Sequence, residues 1–351
     1  MGFRLSPASG FLLCMLLACG GGTITGDDDD VSMDDDDSTT GDDDTTTGDD
    51  DTTTGDDDTT TGDDDTTTGD DDDTLDCENL PQGPLPYEVI HGPRATEDLA
   101  FDDEGYLIGA DSGNLFRSLY AAASELWVPG PWADITGLRA LPSGDIVYAD
   151  TSDGSLMRVD RTTGARTTVL SGLSNPDGLE IDMDGFVYVA EQASGMVRRV
   201  DPDTGEFIIL ATDLNQPNGL SFDPSYTTLY VDSYGGGVVY AIPVGPDGTP
   251  GEVWNFAGLV GTGLHDGMGV DACGNVYICD YGMTTVMRIS PDGLTIEPVV
   301  DLGPDSTWIP NLQWGSGVGG WDEMSIYVND IEPLYTYEVP VGVPSKPRSY
   351  P

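Results

Sequence analysis

An all-β, six-bladed propeller is the fold this sequence predicts, and three observations predict it. A short phrase recurs six times, as in Gly178-Leu179-Glu180-Ile181-Asp182, Gly219-Leu220-Ser221-Phe222-Asp223 and Gly267-Met268-Gly269-Val270-Asp271. The other copies occupy 98–102, 137–141 and 311–314. Each copy leads into a β-rich run, and the copies stand about 40–50 residues apart, the period of propeller blades or solenoid units. The last unit is one strand short: after 311–314, 325–329 and 334–339 only a Pro-rich tail remains. An unassigned β-rich segment, 87–90, precedes the first unit. It would complete the last blade and close the ring, which removes free sheet edges.

Residues 1–22 read as a secretion signal, with Arg4, an apolar core at 11–17 and then Leu16-Leu17-Ala18-Cys19. So short a core is a signal region, not a membrane span. Small residues ending at a cysteine resemble the bacterial lipobox, which makes Cys19 the expected lipidation site. Gly20 follows it, so no acidic residue argues for inner-membrane retention. The expected address is the cell envelope, lipid-anchored at the outer membrane, on either face.

Residues 23–76 repeat Thr-Thr-Thr-Gly-Asp-Asp-Asp. Nothing apolar can be buried there and the charges repel, so an extended, disordered linker is expected. A calcium loop would need ligands held by ordered turns. The net charge is −52, but 25 of the acidic residues fall in 26–76. That leaves 39 acidic and 11 basic residues in 77–351. This balance argues against nucleic acid or an anionic membrane as partner. Membrane contact is expected only through the lipid, and a monomer is expected.

Residues 77–351 suit one propeller-sized domain. The third unit shows the plan: strands at 178–182, 186–191, 196–201 and 206–211, joined by Met183-Asp184-Gly185, Ala193-Ser194-Gly195 and Pro202-Asp203-Thr204-Gly205. These Asp/Gly joints are explained as hairpin turns. Ala121-Ala122-Ala123 falls in a hairpin connection of the first blade rather than a helix. Three cysteines, Cys77, Cys273 and Cys279, allow one bridge and one leftover thiol, with Cys77–Cys273 one candidate pair.

The residue just before each inner strand is expected near the axis: Glu97, Thr136, Asp177, Asn218, Asp266 and Pro310. Four are carboxylates or a carboxamide, with no lysine or arginine among them. Two readings stay open. A divalent cation, calcium or magnesium rather than zinc, relieves the repulsion; or each side chain caps the turn before its own strand.

Pro217-Asn218-Gly219-Leu220-Ser221-Phe222 and His265-Asp266-Gly267-Met268 resemble the senescence-marker-protein/gluconolactonase/luciferin-regenerating-enzyme-like family over most of residues 90–340. The resemblance implies a six-bladed propeller with a divalent ion, most simply calcium, held by Glu97, Asn218 and Asp266. It also implies Asp266 as general base. The family's Glu-x-Pro-x-Trp is here Glu97-Asp98-Leu99-Ala100-Phe101. Asn175 and Asp177 are the implied substrate-binding residues. Pro176 separates them, whereas in the family the asparagine directly precedes the aspartate, and the arginine often found nearby is missing. This departs from a sugar-acid lactone site.

The expected function is metal-assisted hydrolysis of a small lactone or ester, with Asp266 taking a proton from water. His265 is either a proton shuttle or faces sideways, since strand neighbours point to opposite faces. Tyr234, Trp308 and Trp321 either line the mouth or fasten loops together. The alternative is a non-catalytic, NHL-like surface propeller that binds a ligand, glycan or protein. A carbon–oxygen lyase needs a histidine base, and only His91 and His265 exist. No phosphate loop, dinucleotide fingerprint or nucleophile elbow is present.

Overall fold

The structure, a computed structural model, describes residues 75–258, 260–332 and 334–349. The expected signal, its Cys19 and the acidic linker up to residue 74 lie outside the described residues. The rest forms six four-stranded antiparallel sheets. Inner strands touch in the order of the blades, and Leu312–Trp314 meets Leu99–Phe101 to complete the circle.

Blade 3 shows why these residues form strands. Its inner strand is Pro176–Ile181, followed by Val187–Glu191, Met196–Val200 and Phe207–Ala211 at the rim. The second strand is buried along its whole length. Neighbouring blades cover both of its faces, so it reads as an unbroken apolar run rather than an alternation. The outer strand exposes Phe207, Ile208 and Ile209. Between the first two strands, Asp182 Oδ1 accepts from the backbone N–H of Asp184 at 3.0 Å and of Phe186 at 2.9 Å. The carboxylate therefore satisfies turn donors, as the hairpin reading expected. Residues 119–124 connect two strands of blade 1, with no helix at Ala121–Ala123.

Ring closure follows the expectation. Glu88–Ile90 pairs with Thr336–Pro340 in blade 6, placing Val89 opposite Tyr337. The Cys77–Cys273 disulfide ties the preceding chain to a turn of blade 5, across 196 residues, and leaves Cys279 as a buried thiol. Edge-on aromatic pairs bridge adjacent blades: Tyr188 and Phe222 at 4.9 Å, Tyr277 and Trp314 at 5.1 Å. Each such pair contributes about 0.5–1.5 kcal/mol beyond its buried area.

The Pro-rich tail has a role the sequence did not suggest. It crosses the face at the far end of the inner strands. The Ala272 N–H donates to Pro344 O at 2.9 Å, the Tyr226 hydroxyl to Pro347 O at 2.7 Å and the Ser349 hydroxyl to Asp182 O at 3.0 Å. Between them Lys346, 5% exposed, enters the axis, where its Nζ donates to Glu180 at 2.8 Å and to the Ser221 hydroxyl at 2.9 Å. The axial channel is thus stoppered at that end.

Candidate axial site

At the other end the inner strands carry the six residues expected on the axis, with one correction. In blades 2 to 5 those residues do not precede the strand but sit inside it. Each of these strands breaks register just where the residue and its following glycine fall: between Ile135 and Leu138, Pro176 and Leu179, Pro217 and Leu220, His265 and Met268. A β-bulge re-aims a side chain. Four successive blades use it to present Thr136, Asp177, Asn218 and Asp266. The glycines let the strands converge. A Cβ on Gly178 would stand 2.2 Å from Asn218 O, and one on Gly219 2.4 Å from Asp266 O.

Glu97, Asp177 and Asp266 are partly accessible yet enclosed by protein on almost every side, as befits side chains lining a narrow well. Asn218 is 4% exposed. Burial raises the Glu97 carboxyl to about 7, helped by the charges of Asp134 and Asp98. Burial also pushes Asp177 and Asp266 well above the usual carboxylate range, and the charges within this group add to both shifts. Among the described residues none of the three carboxylates pairs with a lysine or arginine. The positive charges lie one layer below and are engaged. Arg139 meets Asp98 at 2.6 Å, and Lys346 meets Glu180.

The remaining ring positions differ. The Thr136 hydroxyl bonds Pro176 O at 2.9 Å, and Pro310 O accepts the Gly267 N–H at 2.5 Å. Asn175 is not brought to the carboxylates by any contact. It adopts φ 55° and its amide donates to the Gln192 side chain at 2.9 Å. His265 is fully buried, with Nε2 against Val260 O at 2.8 Å, so it faces the blade rather than the well. Trp321 is also buried, in an aromatic cluster with Phe101, Tyr120 and Tyr327, and its indole N–H donates to Gly105 O at 2.9 Å. It lies in the connection at the far end of the inner strands, not at the mouth. Tyr234 and Trp308 do stand at the mouth, joined by Tyr281.

Asp232 was missed. It is fully buried near the end of a second strand, its Oδ1 accepting the Gly219 N–H at 2.8 Å inside the bulge and its Oδ2 without a partner. Its charge raises Asp266. The signal was present: second strands end in Asp111, Asp150, Glu191, Asp280 and Asn329, and Asp232 stands one residue before the end of its own. Most of these bond nearby loops, as Glu191 accepts the Ser174 N–H at 2.7 Å. Only the tertiary setting turns Asp232 inward.

The donor set suits a hard cation. Glu97, Asp177, Asn218 and Asp266 offer oxygen ligands alone, in a buried, uncompensated group that favours calcium or magnesium. Among the described residues, however, no three Asp, Glu, His or Cys side chains already stand at ligand spacing. Binding would draw the side chains inward.

Residues 195–301 match the family described as SMP-30/Gluconolactonase/LRE-like region. No curated protein matches the chain in sequence. Among solved structures, the chain is similar to a gluconolactonase from Xanthomonas campestris, at 19% identity and a TM-score of 0.60, over 74% of this chain and 99% of that one. It is similar to regucalcin, a calcium-binding protein from Agrobacterium tumefaciens, at 19% identity and 0.62, over 76% and 97%. Virginiamycin B lyase from Staphylococcus aureus follows at 14% and 0.55, over 70% and 80%. At these identities the likeness shows the fold.

Proposed function

We propose that this six-bladed propeller, with its SMP-30/gluconolactonase/LRE-like region, is an exported hydrolase of small lactones or esters that works with a divalent cation in the axial well. One observation carries the reading. Three carboxylates and a carboxamide converge at one end of the axis, and among the described residues no lysine or arginine pairs with those carboxylates. The family match supports the same choice.

Glu97, Asn218 and Asp266 would hold the ion, with Asp177 beside them. When bound, the ion supplies polarisation of the carbonyl and stabilises negative charge on its oxygen. Asp266 would accept the proton of the attacking water, as the carboxylate set among the ion's oxygen ligands. Asp232 beneath Gly219 keeps the bulge that aims Asn218. His265, bonded to Val260 O, takes no part. The Lys346–Glu180 pair lies at the far end of the axis, and water and substrate would enter from the ring face. In this reading the chain is lipid-anchored through Cys19 at the outer membrane, with residues 23–76 as spacer.

Calorimetric titration of calcium into wild type and Asp266→Asn tests it, since the linker's background is common to both. One tight site present in the wild type and lost in the variant, with calcium-dependent hydrolysis of a lactone or ester, is expected. No site for calcium, magnesium or manganese in the wild type would overturn it.

A further inference from the structure

Three aromatic side chains stand over the well, each two residues from a ring position by sequence or by strand pairing. The Tyr234 N–H donates to Gln216 O at 2.9 Å, two residues before Asn218. Tyr234 also bridges Leu264, two residues before Asp266, and the Tyr281 N–H donates to that same Leu264 O at 2.9 Å. Trp308 stands two residues before Pro310. The rings form an arc over blades 4, 5 and 6. Tyr281 and Trp308 stack with centroids 4.9 Å apart and planes 20° apart, and Tyr234 meets Tyr281 edge-on at 6.4 Å.

The arc is held in place and open on one side. Asp330 and Ile331 bond the Trp308 backbone at 3.3 and 3.1 Å, while Trp308 is 40% exposed and both tyrosines are half-buried. Neither phenol has a hydrogen-bond partner among the described residues. Burial and the charges of Asp266 and Glu97 raise both phenols, so they remain O–H donors.

We propose that Tyr234, Tyr281 and Trp308 form a stacking subsite that takes the flat, uncharged ring of an aromatic lactone or ester and sets the preference for it. A planar π-face offset over another aromatic is the arrangement the arc can extend. A free phenol O–H can donate to the ring or carbonyl oxygen of the ligand. Charge selects the rest. Among the described residues no lysine or arginine pairs with Glu97, Asp177 or Asp266, and Arg94 is paired with Asp111 at 2.7 Å.

This inference rests on the hydrolase reading for its carbonyl, but the stacking is tested apart from it. The probes are dihydrocoumarin, a lactone fused to an arene, and δ-valerolactone, the same ring without it. In calcium-loaded full-length protein, KM for dihydrocoumarin is expected about tenfold lower, the upper range of an aromatic contact. Trp308→Ala and Tyr281→Leu should each remove most of that preference without changing calcium affinity. Trp254→Ala, an exposed tryptophan on the outer strand of blade 4, should keep it. Equal KM values in the wild type, or a preference that survives both rim variants, would overturn the subsite. If neither compound is hydrolysed yet dihydrocoumarin binds calorimetrically in a Trp308-dependent way, the hydrolase reading falls and the subsite stands. Absence of both hydrolysis and binding removes the subsite.

Discussion

Replacing Lys346 with methionine leaves Glu180, 2% exposed, without its closest counter-charge. Removing one partner of a buried pair costs about 3–5 kcal/mol, because the other charge stays buried. Glu180 keeps the Ile181 N–H at 2.8 Å and the charge of Arg139, which places the loss near the low end, about 3 kcal/mol. In a domain of this size that lowers Tm by about 6–12 °C. The pH dependence gives the sign. Lys346 is the chief cause holding the Glu180 carboxyl below its usual range against burial. A carboxyl depressed in the folded state contributes stability above its unfolded pKa and loses it as pH falls through the folded one. In K346M the carboxyl is no longer depressed, so the deficit is full at about pH 7 and shrinks below about pH 4, where Glu180 is protonated in both states. Thermal unfolding by circular dichroism of wild type, K346M, E180Q and the double variant reads this out. The double variant should recover most of the loss, having no charge to strand. A K346M protein within about 0.5 kcal/mol of wild type at neutral pH would refute a buried, energetic plug, and so would a double variant no better than K346M.

Calcium at about a hundred times its Kd should stabilise the wild type by about 2.7 kcal/mol and Asp266→Asn by far less. Because burial raises Glu97 to about 7, and Asp177 and Asp266 above their unfolded values, the metal-free protein loses stability as pH rises through that range. The calcium-induced Tm rise should therefore be larger at about pH 8 than at about pH 5. Gly178→Ala forces a Cβ to 2.2 Å from a backbone carbonyl and should cost about 1–3 kcal/mol in denaturant unfolding. Reducing Cys77–Cys273 frees a loop of 196 residues, which chain entropy values at about 5 kcal/mol; comparing melts with and without reductant measures it.

The repeat was legible because its determinants are local and recur: turn aspartates and glycines, apolar second strands, and an unpaired strand at each end of the chain's folded part. The ring residues could be placed for the same reason, since one phrase marks each copy. Their conformation could not. The bulge at Asp177-Gly178 or Asp266-Gly267 arises from register with a neighbouring strand and close approach of the next blade, and neither is written in a five-residue phrase. Trp321 and Trp308 look alike in sequence, yet one fills a blade interface and the other faces the mouth.

By itself, then, the sequence determined the blade count, the closing strand and which residues stand at the start of the inner strands, because repetition converts local patterns into a symmetric whole. The tertiary structure alone decided the features with no repeat partner. Lys346 finds Glu180 across 166 residues, Asp232 turns inward among similar acids that do not, and Tyr281 comes to stack on Trp308. Each is a single long-range contact whose free energy depends on what burial removes from water, and that is set only once the ring has closed.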